Sequence, residues 1–372
     1  MKILVCFGTR PEAIKMASLV HELKKSSVVD IKIGVTAQHR QMLDQVLDFF
    51  EIVPDYDLDI MKENQSLNEL CGRIFMKIDK VLQEYNPDII LVHGDTTTSS
   101  VCGWAAFHRG IKVGHVEAGL RTFNKFSPFP EELNRQITGR IADYHFAPTL
   151  QAKQNLLNEN IIDDTILATG NTVIDSLLWA CEKLDKGFTN SKIEELKLSL
   201  NFNKKIILVT GHRRENFGDG FLNICKALAQ LAKNNDIEII YPVHLNPQVQ
   251  KPVLDLLSGI PNIHLISPLD YPSFIWVMQK SYFIITDSGG VQEEAPALGK
   301  PVLVMRDTTE RPEAVEEGTV ILVGTKTTKI VAEATNLLNN SVDYQKMSKS
   351  HNPYGDGKAA ARIVEFLENI NA

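Results

Sequence analysis

The chain has 372 residues, of which 44% are hydrophobic and 23% are charged, the composition of an ordinary globular protein. At about 100–200 residues per domain, this length predicts two or three domains whose cores need no metal or disulfide support. The formal net charge of −7 disfavours a passive nucleic-acid binder, and an anionic small ligand would require positive charges gathered at one place.

Short apolar runs, most of them rich in β-branched residues, predict seven buried strands. In chain order they are Ile3–Phe7, Ile89–Val92, Lys112–His115, Ile206–Thr210, Ile237–Pro242, Phe283–Thr286 and Pro301–Met305. Nearly continuous apolar runs are typical of parallel strands that are covered on both faces. Helical patterns lie among them at Ala13–Lys25, Leu67–Tyr85, Glu131–Ile141 and Leu222–Lys233, and in the tail at Gly357–Ile370. This alternation predicts an α/β protein with doubly wound parallel sheets.

The two halves of the chain resemble each other. The run Lys2–Arg10, which ends in Gly-Thr-Arg, is matched by Lys205–Arg213, which ends in Gly-His-Arg. We therefore predict two Rossmann-like domains, over residues 1–169 and 170–356, with a polar hairpin or loop-rich segment at 185–204. Two such domains would face a central cleft with strand carboxyl ends on both walls, where open α/β sheets bind ligands.

The cysteines and the N-terminus indicate a cytoplasmic location. The cysteines are odd in number, widely spaced and form no C-x-x-C pair, which predicts reduced thiols at Cys6, Cys71, Cys102, Cys181 and Cys225. The apolar stretch after the first two residues is too short for the core of a signal peptide. No run approaches the about 20 apolar residues that span a bilayer.

Several common cofactor motifs are missing from the sequence. No G-x-G-x-x-G follows a predicted strand and no G-x-x-x-x-G-K-[ST] occurs, so nothing supports a bound dinucleotide or a P-loop. No H-E-x-x-H or similar cluster indicates zinc. Asp57 and Asp59 have D-x-D spacing, but they follow Pro54 in a polar segment, and a metal role is the less favoured interpretation.

The segment Gly8–Lys15 joins the first predicted strand to a helix. Gly8 permits a tight turn and Pro11 suits a first helical turn. Arg10 and Lys15 fall near a helix N-terminus, which attracts anions. They are either two solvated cations at a helix start or an anion-facing pair at a strand end.

Carboxylates follow the next two predicted strands. Asp95 and Glu117 stand at strand ends, from which both would project toward one ligand. A single carboxylate there is often a helix cap, which is the alternative for Asp95, but two at equivalent positions favour acid–base chemistry. At the next predicted helix, Glu132 is typical of an ordinary first-turn acid, whereas Glu131 is a third acid–base candidate.

Cations follow the strands of the second half. His212 comes directly after a strand-end glycine, beside Arg213 and Arg214, which favours a phosphate-binding or acid–base role over a structural histidine. Arg311 follows a later predicted strand and adds another positive charge at a strand end.

The segment Asp287–Pro296 is the sharpest local signal. A strand ends, two glycines let a ligand come close, and a helix begins. The N–H groups of Ser288, Gly289 and Gly290 would form a diphosphate cradle, with a glycine-rich helix cap as the alternative. Glu294, one turn on, can accept hydrogen bonds from sugar hydroxyls. Together with the strand-end cations, this segment predicts a nucleotide-diphosphate ligand.

Long motifs across nearly the whole chain resemble the non-hydrolysing UDP-N-acetylglucosamine 2-epimerases. They are GTRPEAIK (8–15), GDTTTS (94–99), HVEAGLRT (115–122), PFPEELNRQ (128–136), HRREN (212–216), PVHLNP (242–247) and DSGGVQEEAPALGKPVLVMRDTTERPE (287–313). The resemblance implies a GT-B-like fold, with the C-terminal helix at about 357–372 packing back on the first domain. It implies reversible conversion of UDP-N-acetylglucosamine to UDP-N-acetylmannosamine, without NAD or an essential metal.

The resemblance also implies roles for individual residues. The acid–base set would be Asp95, Glu117, Glu131 and His212. The substrate-binding set would be Arg10, Lys15, Asp95, Glu117, His212, Leu269, Phe274, Ser288, Gly289, Gly290, Glu294 and Arg311, with Leu269 contributing only its backbone. A second UDP-N-acetylglucosamine would bind as an activator at Gln38, His39, Gln41, Arg213 and His244, although Asn64 replaces an expected arginine nearby. A homodimer and a role in cell-envelope polysaccharide synthesis are further expectations.

Three other functions are compatible with parts of this pattern. A GT-B glycosyltransferase would use the same donor site but would not exchange the C2 hydrogen of the sugar. A hydrolysing epimerase would release free N-acetylmannosamine and UDP. A non-catalytic nucleotide-sugar sensor would not need the clustered carboxylates.

Overall fold

A computed structural model describes residues 1–37, 40–62, 64–309 and 311–370. The chain forms two compact units. Unit 1 comprises Met1–Trp179 and Tyr354–Ala372, and unit 2 comprises Ala180–Pro353. Each unit is built on one sheet of parallel strands.

The sheet of unit 1 has seven strands in the order β3-β2-β1-β4-β5-β6-β7. They are β1 (Lys2–Phe7), β2 (Asp30–Val35), β3 (Tyr56–Asp57), β4 (Ile89–His93), β5 (Lys112–Val116), β6 (Tyr144–Ala147) and β7 (Ile166–Ala168). The strand order reverses between β1 and β4, whose registered pairs include Ile3 with Ile89. The carboxyl ends of these two strands therefore border the topological switch point, where such sheets bind ligands.

Unit 2 repeats the same arrangement with six strands in the order β10-β9-β8-β11-β12-β13. They are β8 (Lys205–Thr210), β9 (Ile237–Pro242), β10 (Ile263–Ile266), β11 (Phe283–Thr286), β12 (Val302–Val304) and β13 (Val320–Leu322). Here the order reverses between β8 and β11, which pair from Phe283 with Ile207 to Thr286 with Thr210. The segments after these strands, which contain His212 and Ser288, lie at the second switch point.

Sixteen α-helices lie in the described part of the chain. They are α1 (Arg10–Lys25), α2 (Arg40–Phe49), α3 (Leu67–Tyr85), α4 (Thr97–His108), α5 (Glu131–Ile141), α6 (Leu150–Asn158), α7 (Thr172–Asp185), α8 (Ser191–Ser199), α9 (Asp219–Leu231), α10 (Pro247–Leu257), α11 (Tyr271–Lys280), α12 (Gly289–Ala297), α13 (Pro312–Glu316), α14 (Thr327–Asn339), α15 (Ser341–Lys349) and α16 (Ala359–Asn369). None of them has the length and apolarity that crossing a bilayer requires.

The predicted α/β class with two parallel sheets is confirmed, and each of the seven predicted strands is present within two residues at either end. The strands that the sequence did not predict are β2, β3, β6, β7, β10 and β13. Most of these strands are short and lie toward the sheet edges. They contain partly exposed residues as well as buried ones. They therefore lack the continuous apolar run that marks a central parallel strand.

The expected hairpin or loop at 185–204 is wrong, because Ser191–Ser199 forms α8. Asn190 caps this helix by accepting a hydrogen bond from the Ile193 amide at 2.8 Å, and Ile193 and Leu196 are buried on one face. A cap with apolar residues three apart is a helix signal that polar composition obscured.

The division between the units falls after Trp179, ten residues beyond the boundary predicted at 169/170. The first turns of α7 belong to unit 1 because they pack on α1. The Ser18 amide donates to Ser176 Oγ, and the Ser18 hydroxyl donates to the Thr172 carbonyl, both at 3.3 Å. The C-terminal helix α16 also lies in unit 1, where the Ala360 amide donates to Asp175 at 2.8 Å.

All five cysteines carry free thiols. Cys6 on β1 and Cys102 on α4 are both buried, and their sulfur atoms are 3.4 Å apart. The two residues pack within the apolar core under the sheet of unit 1.

Replacing Gly8 by alanine is expected to destabilise unit 1. A Cβ atom at Gly8 would lie 1.9 Å from Thr36 Oγ1 and 2.6 Å from Thr98 Oγ1, two hydroxyls that hydrogen-bond each other at 2.8 Å in the buried interior. Overpacking of this kind costs about 1–3 kcal/mol of unfolding free energy. Denaturant unfolding measures the change.

Gly72→Ala is the matched control, because Gly72 lies within α3 and has no atom within 4 Å of an added Cβ. That variant is expected to gain about 0.5–1 kcal/mol, since alanine favours a helix interior over glycine. Equal unfolding midpoints for the two variants would contradict the close packing at Gly8.

Candidate active site

The turn after β1 is fixed by a buried carboxylate. Glu12 is 2% exposed and accepts hydrogen bonds from the backbone amides of Gly8 (3.0 Å) and Thr9 (2.7 Å). It also accepts one from the Thr96 hydroxyl at 2.6 Å. Burial raises the pKa of Glu12, and these hydrogen bonds oppose that effect. Glu12 thereby links the turns after β1 and β4, on either side of the switch point.

Lys15 and Glu117 meet beside this turn. Lys15 lies one turn into α1, and its ammonium group donates to Glu117 Oε2. Glu117 directly follows β5 with a φ of 62°, a left-handed conformation that is uncommon for residues other than glycine. The Asn171 side-chain amide donates to the same carboxylate oxygen at 3.1 Å. The structure thus brings together two of the predicted site residues and orients Glu117 from two directions.

His93 is a member of this cluster that the sequence did not single out. It is the last residue of β4, is 3% exposed, and its Nε2 lies 3.7 Å from Glu117 Oε2. Burial lowers the pKa of His93 to about 4, against the opposing charges of Glu117 and Asp95, so the ring is neutral at pH 7. Among the described residues, Nε2 has no hydrogen-bond partner. The only sequence signal was a histidine between an apolar run and Gly94-Asp95.

Asp95 is not a helix cap. The N-cap of α4 is Thr96, whose hydroxyl accepts from the Ser99 amide at 3.1 Å. The Asp95 carboxylate instead accepts a hydrogen bond from Arg135, and the Asp95 carbonyl accepts one from the Asn134 side chain at 3.0 Å. The cap alternative is therefore wrong, and helix α5 holds Asp95 through both its backbone and its side chain.

The two acids that open α5 have different surroundings. Glu132 is fully buried and accepts from the backbone amides of Thr122 (3.0 Å) and Phe123 (3.1 Å), which is a structural role. Glu131 is partly exposed and lines a cavity of about 390 Å³. The cavity is also lined by Thr9, Met61, Gln65, Ser66, Leu67, Leu70, Thr96, Thr97, Pro130 and Asn134. Glu131 therefore opens onto the turns after β1 and β4.

The remaining predicted residue of unit 1 is Arg10, which opens α1 and is partly exposed. Unit 1 thus contains the three carboxylates of the predicted acid–base set and the two cations of the GTRPEAIK motif. The other predicted substrate residues belong to unit 2.

In unit 2, Asp287 organises the segment after β8. It is fully buried, and its Oδ2 accepts from the backbone amides of His212 (2.9 Å) and Arg213 (2.8 Å) and from the Asn216 side chain (3.3 Å). Its Oδ1 lies 3.5 Å from His212 Nδ1 and has no hydrogen-bond partner among the described residues. Asp287 therefore fixes the His212 backbone through a hydrogen bond, and its second oxygen lies close to one side of the His212 ring.

His212 also stacks on His244, with ring centroids 5.5 Å apart and an interplanar angle of 19°. Burial lowers the pKa of His212. The Asp287 charge opposes this, and the charges of His244 and Arg213 reinforce it. The ring is thus predominantly neutral at pH 7.

The glycine-rich turn after β11 begins helix α12, as the sequence indicated, with Ser288 as its N-cap. The amides of Gly289 and Gly290 are the first of this helix, where N–H groups have no acceptor within the helix. The Ser288 amide differs from the prediction, because it donates to Thr286 Oγ1 at 2.9 Å instead of being available to a ligand. Of the three amides predicted to form the cradle, those of Gly289 and Gly290 remain as candidates.

Arg311 packs on the start of this helix. A Cβ at Gly289 would lie 3.0 Å from the Arg311 guanidinium carbon, and Arg311 Nε donates to Glu293 at 2.6 Å. Glu294 is nearly buried one turn into α12, and an added Cβ at Gly290 would lie 3.8 Å from its carboxylate. The structure thus groups the predicted residues Gly289, Gly290, Glu294 and Arg311.

Leu269 and Phe274 lie at the start of α11. Leu269 is buried just before the N-cap Asp270, and Phe274 is partly exposed within the helix. Of the predicted activator residues, Arg213 and His244 flank His212, whereas Gln38, His39 and the side chain of Gln41 lie outside the described part of the chain. Within residues 1–37, 40–62, 64–309 and 311–370, no group of three His, Cys, Asp or Glu side chains is arranged to hold a metal ion.

Two Rossmann-like units, one with carboxylates and the other with an amide-and-arginine cradle at its switch point, define a GT-B-like protein of the nucleotide-sugar class. A family model described as UDP-N-acetylglucosamine 2-epimerase matches residues 21–368. The chain belongs to this family, in its non-hydrolysing branch.

Relatives match over their full lengths. A UDP-N-acetylglucosamine 2-epimerase of Salmonella typhimurium is 56% identical over 371 residues, which cover 99% of both chains. The structure of the Neisseria meningitidis UDP-GlcNAc 2-epimerase, bound to UDP-GlcNAc, has a TM-score of 0.90 and 52% identity, covering 99% of this chain and 100% of that one. The Methanocaldococcus jannaschii enzyme, in complex with UDP-GlcNAc and UDP, has a TM-score of 0.80 and 35% identity, with the same coverage.

Asp287→Asn is expected to lower the pKa of His212 further. The substitution removes the buried negative charge that favours the imidazolium, while burial, His244 and Arg213 continue to favour the neutral ring. An NMR pH titration of the His212 ring measures the shift, after thermal unfolding has established that the variant is folded. The ring of His264, which is paired with Glu238, is the internal control. An unchanged or raised pKa of His212 would show that Asp287 does not act on the ring.

Proposed function

We propose that the enzyme epimerises UDP-N-acetylglucosamine at C2, reversibly giving UDP-N-acetylmannosamine, by eliminating UDP and adding it back. The names of its full-length relatives and the UDP-GlcNAc bound in the Neisseria meningitidis structure support the substrate. The observation that carries the mechanism is the presence of several carboxylates at the switch point of one unit and an anion cradle at that of the other.

The chemistry of the sugar explains why elimination is required. The C2 proton has no carbonyl group beside it, so a carboxylate alone cannot remove it easily. When the C1–O bond breaks, its electron pair leaves with the β-phosphate oxygen of UDP and oxocarbenium character develops at C1. That makes the C2 proton acidic, and its loss to a carboxylate forms the C1=C2 bond of 2-acetamidoglucal. Protonation of C2 on the other face, with return of UDP to C1, gives the epimer.

The residues of unit 2 suit the leaving diphosphate. The Gly289 and Gly290 amides, the helix dipole of α12 and the Arg311 guanidinium supply positive potential at one place. Donors of this kind stabilise the charge that builds up on a departing phosphate, usually the largest contribution to such a reaction. His212 adds an imidazole ring, on a backbone that Asp287 holds.

The residues of unit 1 suit the proton transfers. Glu117 is oriented by Lys15 and Asn171, Asp95 by Arg135, and Glu131 opens onto a cavity beside both turns. Two proton movements on opposite faces of C2 require two groups, and carboxylates are competent for both. The same three acids act in either direction, since the reaction is reversible.

We also propose that the reaction needs neither NAD nor an essential metal. Elimination and addition of UDP leave the sugar at the same oxidation level, so no hydride acceptor is consumed. The amides of Gly289 and Gly290 and the Arg311 guanidinium would donate hydrogen bonds to the diphosphate oxygens, a role that a metal ion fills in other enzymes.

The enzyme's partners are part of the same proposal. We propose a homodimer, supported by an exposed apolar surface on α3 and α4 where Met76, Trp104 and Phe107 are 73%, 43% and 59% exposed. We propose a second UDP-N-acetylglucosamine as an activator, because two of its predicted ligands, Arg213 and His244, flank His212. The product would supply cell-envelope polysaccharide synthesis.

Incubation with UDP-N-acetylglucosamine in D₂O, without added NAD and with a metal chelator, is expected to give UDP-N-acetylmannosamine with deuterium at C2 of both sugars. Deuterium enters because the glycal takes its new C2 hydrogen from a group that exchanges with solvent. Proton NMR and mass spectrometry measure the product and its label. Epimer that retains its C2 proton would rule out the elimination route, and free N-acetylmannosamine would indicate a hydrolysing enzyme. Sugar transfer without C2 exchange would indicate a glycosyltransferase.

The variants Asp95→Asn and Glu117→Gln are each expected to lower turnover by about 10²-fold or more, since an amide cannot exchange a proton as a carboxylate does. UDP binding, measured by calorimetry, should persist because the cradle is in unit 2. Asp163→Asn is the control, because Asp163 is an exposed carboxylate of unit 1 that precedes β7 and pairs with Lys153 on α6 at 2.5 Å, and it should retain full activity. Wild-type turnover in either site variant would remove that residue from the acid–base set.

A further inference from the structure

Arg135, on helix α5, lies between the carboxylates of Asp95 and Glu132. Its side chain is 12% exposed, its Nη2 donates to Asp95 Oδ2, and its Nη1 lies 3.4 Å from Glu132 Oε2. We propose that Arg135 is a positioning residue for the epimerisation, one that fixes the Asp95 carboxylate in the orientation from which it acts on the sugar. This inference rests on the proposed function of Asp95.

Glu132 provides the fixed end of this arrangement. It is fully buried, and both of its oxygens are held by backbone amides, Oε2 by Thr122 and Oε1 by Phe123. The Gln136 side chain donates a further bond to Oε1 at 3.0 Å. A buried carboxylate with this many donors does not change its orientation easily. The backbone after β5 therefore fixes Glu132, and Glu132 in turn fixes the guanidinium of Arg135.

Asp95 is held a second time by the same helix. Its carbonyl oxygen accepts from the Asn134 side chain at 3.0 Å, while its carboxylate accepts from the neighbouring Arg135. The backbone and the side chain of Asp95 are thus fixed by consecutive residues. The Asp95 side chain is nevertheless 29% exposed, so its carboxylate remains accessible to a ligand.

The shape of the guanidinium explains why arginine is needed here. Its planar group presents Nη1 to one carboxylate and Nη2 to the other, and its charge is permanent. A lysine ammonium is a single point donor and cannot span the two carboxylates in the same plane. Without Arg135, the Asp95 carboxylate would rotate about its side-chain bonds, and small misplacements of a reacting group cost up to about 10²-fold in rate.

The test compares Arg135→Ala with Arg121→Ala. Arg121 is also in unit 1, and its buried side chain forms a two-pronged pair with Glu159 at 2.7 and 2.9 Å. Its loss therefore removes an ion pair of the same kind that does not include Asp95. We expect Arg135→Ala to lose about 10²-fold in kcat with little change in KM. Guanidinium at millimolar concentration should restore part of that activity, whereas ammonium or sodium chloride should not. Arg121→Ala should lose stability but not gain activity from guanidinium.

A double-variant cycle separates positioning from a general effect on folding. If Arg135 acts through Asp95, Arg135→Ala should have little further effect on kcat in the Asp95→Asn background, because the group it positions is already inactive. A merely structural role would give multiplicative losses. If Arg135→Ala does not fold, Arg135→Lys is tested in its place and is expected to fold with reduced kcat.

The outcomes separate this inference from the proposed function. Provided that the wild-type enzyme exchanges the C2 hydrogen in D₂O, three outcomes would overturn the positioning role of Arg135. They are a near-wild-type kcat in the Arg135 variants, a loss of kcat that guanidinium does not relieve, and multiplicative losses in the double variant. Absence of C2 exchange in the wild-type enzyme instead refutes the elimination mechanism itself.

Discussion

Buried carboxylates that accept hydrogen bonds from backbone amides hold strand-end loops in each of the two units. Glu12 binds the amides after β1, Glu132 binds two amides within the segment that joins β5 to α5, and Asp287 binds those after β8. All three carboxylates are 2% exposed or less. Removing a carboxylate from water is costly unless charged hydrogen bonds replace its hydration. Each acid is therefore stable only while its loop keeps the conformation that supplies those amides, and the loop in turn keeps its shape because the acid is there.

This constraint connects the fold to the chemistry. The parallel sheets place Asp95, Glu117 and His212 at strand ends through topology alone, since carboxyl ends of neighbouring parallel strands share one edge. Topology does not orient a side chain. Orientation comes from a further layer of contacts, in which Lys15 and Asn171 bind Glu117 and Asp287 lies against His212. The same design occurs in both units, although one sheet presents acids and the other presents amides and cations.

The sequence predicted the central strands and most of the residues at their ends, because both follow from local pattern. A continuous apolar run defines a central parallel strand, and the residue after it stands at the switch point. It did not predict His93, Glu12 or Asp287 as parts of the site, and it treated Glu132 as an ordinary helix-start acid. These residues derive their roles from burial and from partners distant in the chain, and spacing contains no information about either. Helix α8 was missed because its apolar face has only two buried residues, Ile193 and Leu196.

Four residues that line or support the candidate acid–base site lie within the first five positions of helix α5. Glu131 opens onto the cavity, Glu132 grips the preceding segment, and Asn134 and Arg135 hold Asp95. Because successive residues of an α-helix are turned by about 100°, inserting or deleting one residue between Glu131 and Arg135 would swing part of this set away from its partners. Insertions and deletions among related chains should therefore be absent from this turn of α5. They should occur instead in loops that do not hold several site residues at once.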